Sequence, residues 1–180
     1  MLECSHRHVH NIVITAIISA VLSGCAQPKT VSSLTFLDPN FKRCVIAQGK
    51  ENIQQITSLR CSHFNIRDAR EIRYLTDLNS LDLSSNQLTY LDVNHNHQLQ
   101  LLSVEHNKLS HLNLTDNPQL KIVNISFNHL KTIDVSDNPL LMYLNYDQTL
   151  VNDVDISHNP RLLAPFNTIN VPNGPTIMAE

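Results

Sequence analysis

The sequence predicts a solenoid in which short parallel β-strands stack in a right-handed coil behind a small helical N-terminal cap. The chain of 180 residues holds 25 Leu and 20 Asn, and both residue types recur at a fixed spacing. Four similar six-residue stretches lie 21 residues apart, starting at Leu81, Leu102, Val123 and Leu144. A second set follows ten residues behind the first, starting at Leu91, Leu112, Ile133 and Val154. A repeat of this length cannot bury its apolar edge alone, so neighbouring repeats must stack.

Each repeat contains a Leu-x-Leu segment that alternates in the manner of a β-strand. Alternate residues of a strand point to opposite faces. We therefore expect Leu81 and Leu83 to point inward, and Asp82 and Ser84 to point outward. Further apolar columns extend the predicted core: Leu78, Leu99, Leu120, Leu141 and Leu162, together with Leu88, Leu109, Leu130 and Leu150.

Asparagine recurs at the two positions where each repeat must turn. A buried turn leaves backbone polar groups without partners, and an Asn side chain offers both donors and an acceptor. We therefore expect two structural asparagine ladders, one of Asn86, Asn107 and Asn128 and one of Asn96, Asn117, Asn138 and Asn159.

This pattern resembles the leucine-rich repeat, Leu-x-x-Leu-x-Leu-x-x-Asn-x-Leu, and the 21-residue form with a second Leu-Asp-Val-Ser-like half is similar to the bacterial internalin type. The resemblance covers residues 57–163. At its ends, Phe64 occupies the asparagine column of the first repeat, and Thr149 replaces Asn in the last. Residues 164–180, which contain three prolines, are expected to form an irregular C-terminal cover. The resemblance implies a non-catalytic protein-binding module, with adhesion as one such role.

Residues 1–24 are predicted to be a lipoprotein signal peptide. The apolar run of residues 12–22 is shorter than the roughly 20 residues that span a bilayer, but it has the length of a secretory signal core. The motif Leu-Ser-Gly-Cys that ends at Cys25 then resembles the bacterial lipobox. It implies a lipid such as palmitate on Cys25, followed by a tether over residues 25–35. A first helix buried in the core is the alternative.

The resemblance to bacterial lipoproteins also bears on localisation. Ala26, rather than Asp, follows the lipobox cysteine, which favours the outer membrane. Whether the protein faces the periplasm or the cell surface stays open.

A helical cap is predicted over residues 36–56. Phe41, Val45 and Ile46 are spaced for one face of a helix, and Asp38 or Asn40 is a candidate N-cap. The segment resembles the helical N-terminal caps of internalin-type proteins.

Two cysteines, Cys44 and Cys61, remain in the chain after the signal peptide and the lipobox. Outside the cytosol such a pair predicts a disulfide. The bridge would join the cap to the first strand and contribute roughly 3 kcal/mol through the loop that it closes. Two buried thiols are the alternative. A metal site is not expected, because no Cys-x-x-Cys or close Cys/His pair accompanies them.

The first repeat is basic, with two acidic residues interleaved. A solvated face is the expected reading, and contact with anionic lipid headgroups beside the anchor is the alternative. The residues are Arg60, Arg67, Arg70 and Arg73, with Asp68 and Glu71 between them.

The outward positions of the strands form the candidate binding face. Leu101, Ile122 and Tyr143 make an apolar row where solvent is expected, and exposed apolar surface with a polar rim suggests a partner site. Packing beneath the terminal cover, or simply a preference for β-strand, is the alternative. The candidate partner-binding residues are Leu101, Ile122, Tyr143, Glu105, Asp147, Phe127 and His106.

The composition argues against several other function classes. A formal net charge of −3 argues against nucleic-acid binding, which normally uses a basic patch. No Ser/His/Asp order or paired carboxylates stand above the repeat pattern, so we expect no enzyme and no cofactor. The expected partners are another protein and, through Cys25, a membrane. A periplasmic structural or inhibitory lipoprotein of an envelope complex is the alternative function.

Overall fold

The computed structural model describes residues 28–162. The predicted signal peptide, the lipid on Cys25, the start of the tether and the C-terminal cover over residues 164–180 lie outside the described residues. Within residues 28–162, no helix combines the length and apolar character needed to cross a membrane.

Five short strands form one parallel sheet, as the repeat pattern predicts. They are β1 (Ser58–Arg60), β2 (Ser80–Asp82), β3 (Leu101–Ser103), β4 (Ile122–Asn124) and β5 (Tyr143–Asn145), and they follow one another in sequence order. Each strand pairs with the next in parallel register. This arrangement confirms the predicted solenoid of stacked parallel strands.

The core is a set of apolar columns that run along the solenoid. The middle residue of every strand points inward, and each such residue is at most 1% exposed: Leu59, Leu81, Leu102, Val123 and Leu144. Leu83, Val104 and Ile125 follow the strands and are fully buried. Each buried Leu or Val contributes about 1.5–3 kcal/mol by leaving water, so the fold depends on stacking successive repeats.

The first asparagine ladder pairs the backbone of neighbouring repeats at the corner that follows each strand. Asn107 shows the pattern: its Nδ2 donates to the carbonyl oxygens of Leu83 and Val104, both at 3.0 Å. Its Oδ1 accepts the backbone N–H of Leu88 at 3.0 Å. Asn86 and Asn128 make the equivalent bonds. Because each amide reaches into the preceding repeat, the ladder fixes how the repeats stack.

The second asparagine ladder uses only the nitrogen of each amide. The Nδ2 of Asn117 donates to the carbonyl oxygens of Val93 at 2.9 Å and Asn96 at 3.0 Å. Its Oδ1 is buried and has no hydrogen-bond partner among the described residues. The same holds for the Oδ1 atoms of Asn96, Asn138 and Asn159.

The described part of the predicted tether packs against the cap. Residues Val31–Ser33 form a short 3₁₀ helix, and Val31 and Leu34 are buried. The Val31 N–H donates to the Glu51 carbonyl at 2.7 Å. Residues 28–35 therefore form part of the folded body.

Helix α1 (Pro39–Ala47) forms the cap and is joined to the first repeat by the Asp38 carboxylate. Its Oδ1 accepts the N–H groups of Asn40 at 2.7 Å and Phe41 at 3.1 Å. Its Oδ2 accepts those of Arg67 at 2.7 Å and Asp68 at 3.2 Å. Burial alone would raise the pKa of Asp38, but these backbone hydrogen bonds outweigh it and lower the pKa. Asp38, not Asn40, is thus the N-cap.

The buried face of α1 differs by one residue from the prediction. Phe41, Cys44 and Val45 are buried, whereas Ile46 is 53% exposed. The Cys44–Cys61 disulfide is present, as predicted. Because Cys44 is bonded to the residue that follows β1, Cys44 rather than Ile46 faces the repeats. A second short 3₁₀ helix, Ile53–Gln55, leads from the cap to β1.

Two further expectations about side-chain direction are wrong. Ser84, expected to point outward, is buried, because the strand ends at Asp82 and the Ser84 Oγ turns to donate to the Asp82 Oδ1 at 2.6 Å. Leu150, placed in the core column of Leu130, is 57% exposed. The Leu150 N–H donates to the Leu130 carbonyl, and the His129 N–H makes the equivalent bond to the Leu109 carbonyl one repeat earlier. Leu150 is therefore equivalent to the outward residue His129, and Val151 packs against the core instead.

The first repeat is one residue longer than the others. β1 pairs with β2 at an offset of 22, as in Ser58 with Ser80, whereas later strands pair at 21. This offset brings Phe64 to the position of Asn86, where it is partly buried against the core.

We predict that Asn107→Ala lowers the free energy of unfolding by roughly 1–3 kcal/mol, because it leaves buried backbone groups unpaired. Chemical denaturation measures this loss. Asn79→Ala is the control, since Asn79 is exposed, and it should change stability little. Asn117→Ala should cost less than Asn107→Ala, because its amide oxygen bonds no backbone group. Equal losses at all three sites would contradict this account.

We predict that Asp38→Asn destabilises the fold by about 1.5–3 kcal/mol at neutral pH. The Asp38 carboxylate accepts four backbone N–H groups through two charged oxygens, whereas an Asn side chain is uncharged and has only one acceptor oxygen. A carboxyl whose pKa is lowered by folding stabilises the protein above its unfolded pKa, and this contribution is lost as the pH falls toward the folded value. The difference between wild type and Asp38→Asn should therefore shrink on acidification in urea denaturation. Asp137→Asn, at an exposed position, is the control. A difference that does not vary with pH would refute this role.

Candidate protein-binding face

The strand face is the outward side of β1–β5, and its C-terminal half carries an apolar row. Register pairs Leu101 with Ile122 and Ile122 with Tyr143, so the three side chains lie about 4.8 Å apart along the sheet. Ile122 is 43% exposed, and Leu101 and Tyr143 are half-buried. The corresponding positions of β1 and β2 are Ser58 and Ser80. The structure therefore brings the predicted apolar residues together at one end of the face.

Met142 is a further exposed apolar residue next to Tyr143 in the sequence, and it was not predicted as a site residue. It precedes β5 and is 41% exposed. Its equivalents in the two preceding repeats are Lys121 and Gln100, whose side chains bond to each other at 3.0 Å. In the sequence, the 21-residue spacing aligns Met142 with the polar residues Gln100 and Lys121. This departure from the column could have marked Met142 as a candidate site residue.

Two carboxylates lie beyond the polar row of Ser103, Asn124 and Asn145, which adjoins the apolar row. Glu105 and Asp147 occupy equivalent positions after β3 and β5, and both are half-buried. The Glu105 carboxylate accepts a hydrogen bond from the Asn124 amide nitrogen. The Asn124 Oδ1 in turn accepts the Ser126 hydroxyl at 2.8 Å. Glu105 is thus held in place, and the border of the apolar row is neutral and polar next to the row and acidic beyond it.

His106 and Phe127 form an exposed aromatic stack just beyond the strands. Their ring centroids lie 4.1 Å apart with an interplanar angle of 11°, and Phe127 is 46% exposed. Both residues have left-handed backbone, with φ of 52° and 53°, as do Ser85 and Gln148. The prediction placed this column on the strands. The structure places it in the turn, where the left-handed conformation sends the side chains into solvent.

The last repeat departs from the pattern on its inner side as well. Tyr146 occupies the column of Val104 and Ile125 and is partly buried against the core. Burial, followed by the charges of Asp153 and Asp147, raises the pKa of Tyr146. Thr149, in place of Asn, donates its hydroxyl to the Tyr146 carbonyl at 2.6 Å.

No metal-binding group is assembled in residues 28–162. In this part of the chain, no three His, Cys, Asp or Glu side chains come together in a way that could hold a metal ion.

The stacked 21-residue repeats, their asparagine corners and the open strand face define a leucine-rich-repeat protein. No protein-family model and no curated protein matches the chain, but solved structures do. The functional domain of InlJ from Listeria monocytogenes, which includes a cysteine ladder, is 34% identical over 74% of this chain, with a TM-score of 0.70. The repeats of this chain are therefore similar to those of internalins.

The similarity to internalins covers the repeats and only part of the InlJ domain. The chain spans 31% of the length of that InlJ domain. Internalin C2 from L. monocytogenes is 21% identical over 76% of this chain and 75% of its own, with a TM-score of 0.55, which shows a shared fold. The described residues of this chain carry asparagine ladders, and their two cysteines, Cys44 and Cys61, form the disulfide.

Proposed function

We propose that the protein is a non-catalytic protein-binding module that binds its partner through the strand face while a lipid on Cys25 holds it at the bacterial envelope. The observation that carries the proposal is the adjacent, solvent-accessible row of Leu101, Ile122 and Tyr143. Outward apolar residues on neighbouring strands stabilise the sheet by packing on one another, but the exposed surface of Ile122 remains available to a partner. Their presence in three successive repeats supports a binding role.

The rim of the row supports the same proposal. Protein interfaces combine an apolar centre with a polar edge, and Tyr is enriched among the residues that dominate binding energy. Tyr143 lies within the row, and Glu105 and Asp147 lie beyond the polar residues that adjoin it. The His106–Phe127 stack adds exposed aromatic surface beyond the carboxylates. An apolar partner surface with basic residues at its edge fits this arrangement best.

The membrane anchor is proposed from the sequence and the short link. Residues 28–35 pack on the cap, so a lipid on Cys25 would hold the folded body close to the bilayer. Several acyl chains on one cysteine give stable anchoring where a single chain is marginal.

We predict that Tyr143→Ala weakens partner capture by about tenfold, the loss typical of an interface residue worth more than 1 kcal/mol. Its melting temperature should stay within about 2 °C of wild type, because Tyr143 is half-buried and outside the core. Partner capture is measured by photo-cross-linking in producing cells from an analogue at position 122, with and without Tyr143→Ala. The same analogue at Asp137, exposed at the second corner, is the control. A large drop in melting temperature with capture unchanged would identify Tyr143 as structural.

We predict that Cys25→Ser moves the protein from the membrane fraction to the soluble fraction, because the serine hydroxyl cannot carry the lipid chains. Cell fractionation with immunoblotting measures the shift. Cys44→Ser with Cys61→Ser, which removes the disulfide, is the control and should leave the anchor in place. Unchanged membrane association of Cys25→Ser would refute the lipobox interpretation.

Protease treatment of intact cells separates a surface module from the alternative, a periplasmic structural or inhibitory lipoprotein. Digestion in intact cells supports surface display and an adhesin-like role. Digestion only after the outer membrane is opened supports the periplasmic alternative.

A further inference from the structure

A cleft separates the segment that follows the lipobox from the first repeat. It lies between residues 28–37 and a 3₁₀ helix, Arg70–Tyr74, and has a volume of about 590 Å³. This volume is in the range of small-molecule sites. Its lining shares no residue with the strand face. The cleft can therefore be considered independently of the proposed protein-binding role.

A buried carboxylate with one unpaired oxygen lines the cleft. Glu71 is 3% exposed, and its Oε1 accepts the N–H of Leu37 at 3.1 Å. Its Oε2 is buried and has no partner among the described residues. Burial raises the pKa of Glu71. Because an unpaired buried polar atom costs free energy, the carboxylate is suited to a donor supplied by a ligand. The sequence suggested a solvated position instead.

Two cationic side chains without an acidic partner lie at the rim. Lys29 and Arg73 are exposed and line the cleft, and neither has a carboxylate within 4 Å among residues 28–162. Arg70 differs, because it pairs with Asp68 at 2.7 Å. The Arg73 guanidinium carbon lies 5.0 Å from the Tyr74 ring centroid, and its Nη2 donates to the Tyr74 hydroxyl at 3.1 Å. The Arg73 charge is therefore held beside the cleft.

We propose that this cleft binds an amino-alcohol phosphate, with the ammonium group donating to the Glu71 Oε2 and the phosphate lying between Lys29 and Arg73. The charges of ligand and site then balance, since the phosphate faces two cations and the ammonium faces one carboxylate. A simple phosphate would leave the Glu71 oxygen unpaired. A simple amine would leave both cations unpaired. Charge-assisted hydrogen bonds at both ends give the selectivity.

The same chemical group occurs in a phospholipid headgroup and in a free metabolite. The cleft begins at Pro28, three residues after the proposed lipid on Cys25. The first experiment therefore tests whether the cleft binds an amino-alcohol phosphate, and a second tests whether that group comes from a phospholipid or a free compound.

The chemistry is tested by isothermal titration calorimetry on the full chain in a maltoside detergent, which carries no phosphate. The probes are O-phosphoethanolamine, ethanolamine and inorganic phosphate. O-phosphoethanolamine should bind at least about tenfold more tightly than either other probe, because it alone pairs with both ends of the site. No binding, or equal affinity for inorganic phosphate, would overturn the proposal.

Matched variants test the residues. Glu71→Gln keeps the acceptor for the Leu37 N–H but removes the charge, and it should weaken O-phosphoethanolamine binding by about tenfold. Arg73→Gln, at the exposed rim, should do the same without touching the core, so the proposal stays testable even if Glu71→Gln misfolds. Asp137→Asn and Lys131→Gln, both exposed and remote in sequence, are the controls. Equal affinity of Arg73→Gln and wild type would refute the site.

The source is tested by competition on the Cys25→Ser chain without detergent. Vesicles of phosphatidylethanolamine in phosphatidylcholine are compared with vesicles of phosphatidylcholine alone, whose quaternary ammonium has no N–H. Displacement of O-phosphoethanolamine only by the first assigns the membrane headgroup as ligand. No displacement by either assigns the free compound. Equal displacement by both would contradict the role of Glu71 as acceptor.

Discussion

The fold depends on satisfying backbone polar groups at corners that are buried. Each repeat turns twice, and water cannot reach the inner groups of either turn. At the first corner, both ends of the Asn107 amide bond to backbone, including the Leu83 carbonyl of the preceding repeat. At the second corner, only the nitrogen of Asn117 is used. Both ladders bond across repeats, so they set the stacking that buries the apolar columns. Hydrophobic burial supplies most of the free energy of folding, and the asparagine hydrogen bonds determine how successive repeats are aligned when they stack.

The turn after each strand also imposes a local cost. Five successive described repeats, from His63 to Gln148, place a non-glycine residue in the left-handed region at this turn, at about 1–2 kcal/mol each. The backbone is held there by cross-repeat bonds such as Phe127 N–H to the Asp147 carbonyl at 2.8 Å. Stacking of two aromatic rings is worth about 0.5–1.5 kcal/mol. The His106–Phe127 pair therefore offsets part of this cost while it stays exposed to a partner.

Periodicity made most of the fold predictable, because the 21-residue register fixes which side chains can stack. It placed the strands, both asparagine ladders and the Leu101–Ile122–Tyr143 row. It failed where a property depends on local geometry. Leu150 was assigned inward although it lies 20 residues after Leu130, whereas the 21-residue register continues to Val151, which packs against the core. His106 and Phe127 were named as candidates, but the left-handed turn that carries them was missed, because no glycine marks it in the sequence. The burial of Glu71 depends on residues 28–37 folding back over it, and no local pattern in the sequence indicates that contact.

The two candidate sites lie toward opposite ends of the sheet, and this separation follows from the fold. The outward row changes from Ser58 and Ser80 near the cap to Leu101, Ile122 and Tyr143 toward the last repeat. Four strand spacings place β5 about 19 Å from β1. The Glu71 cleft lies on the cap side, as does Pro28, the first described residue after Cys25. A solenoid can separate functions in this way because each repeat contacts only its neighbours, so a change on one outward surface leaves the distant one intact. A protein held at its cap end would thus present its apolar row away from the point of attachment, free for a partner.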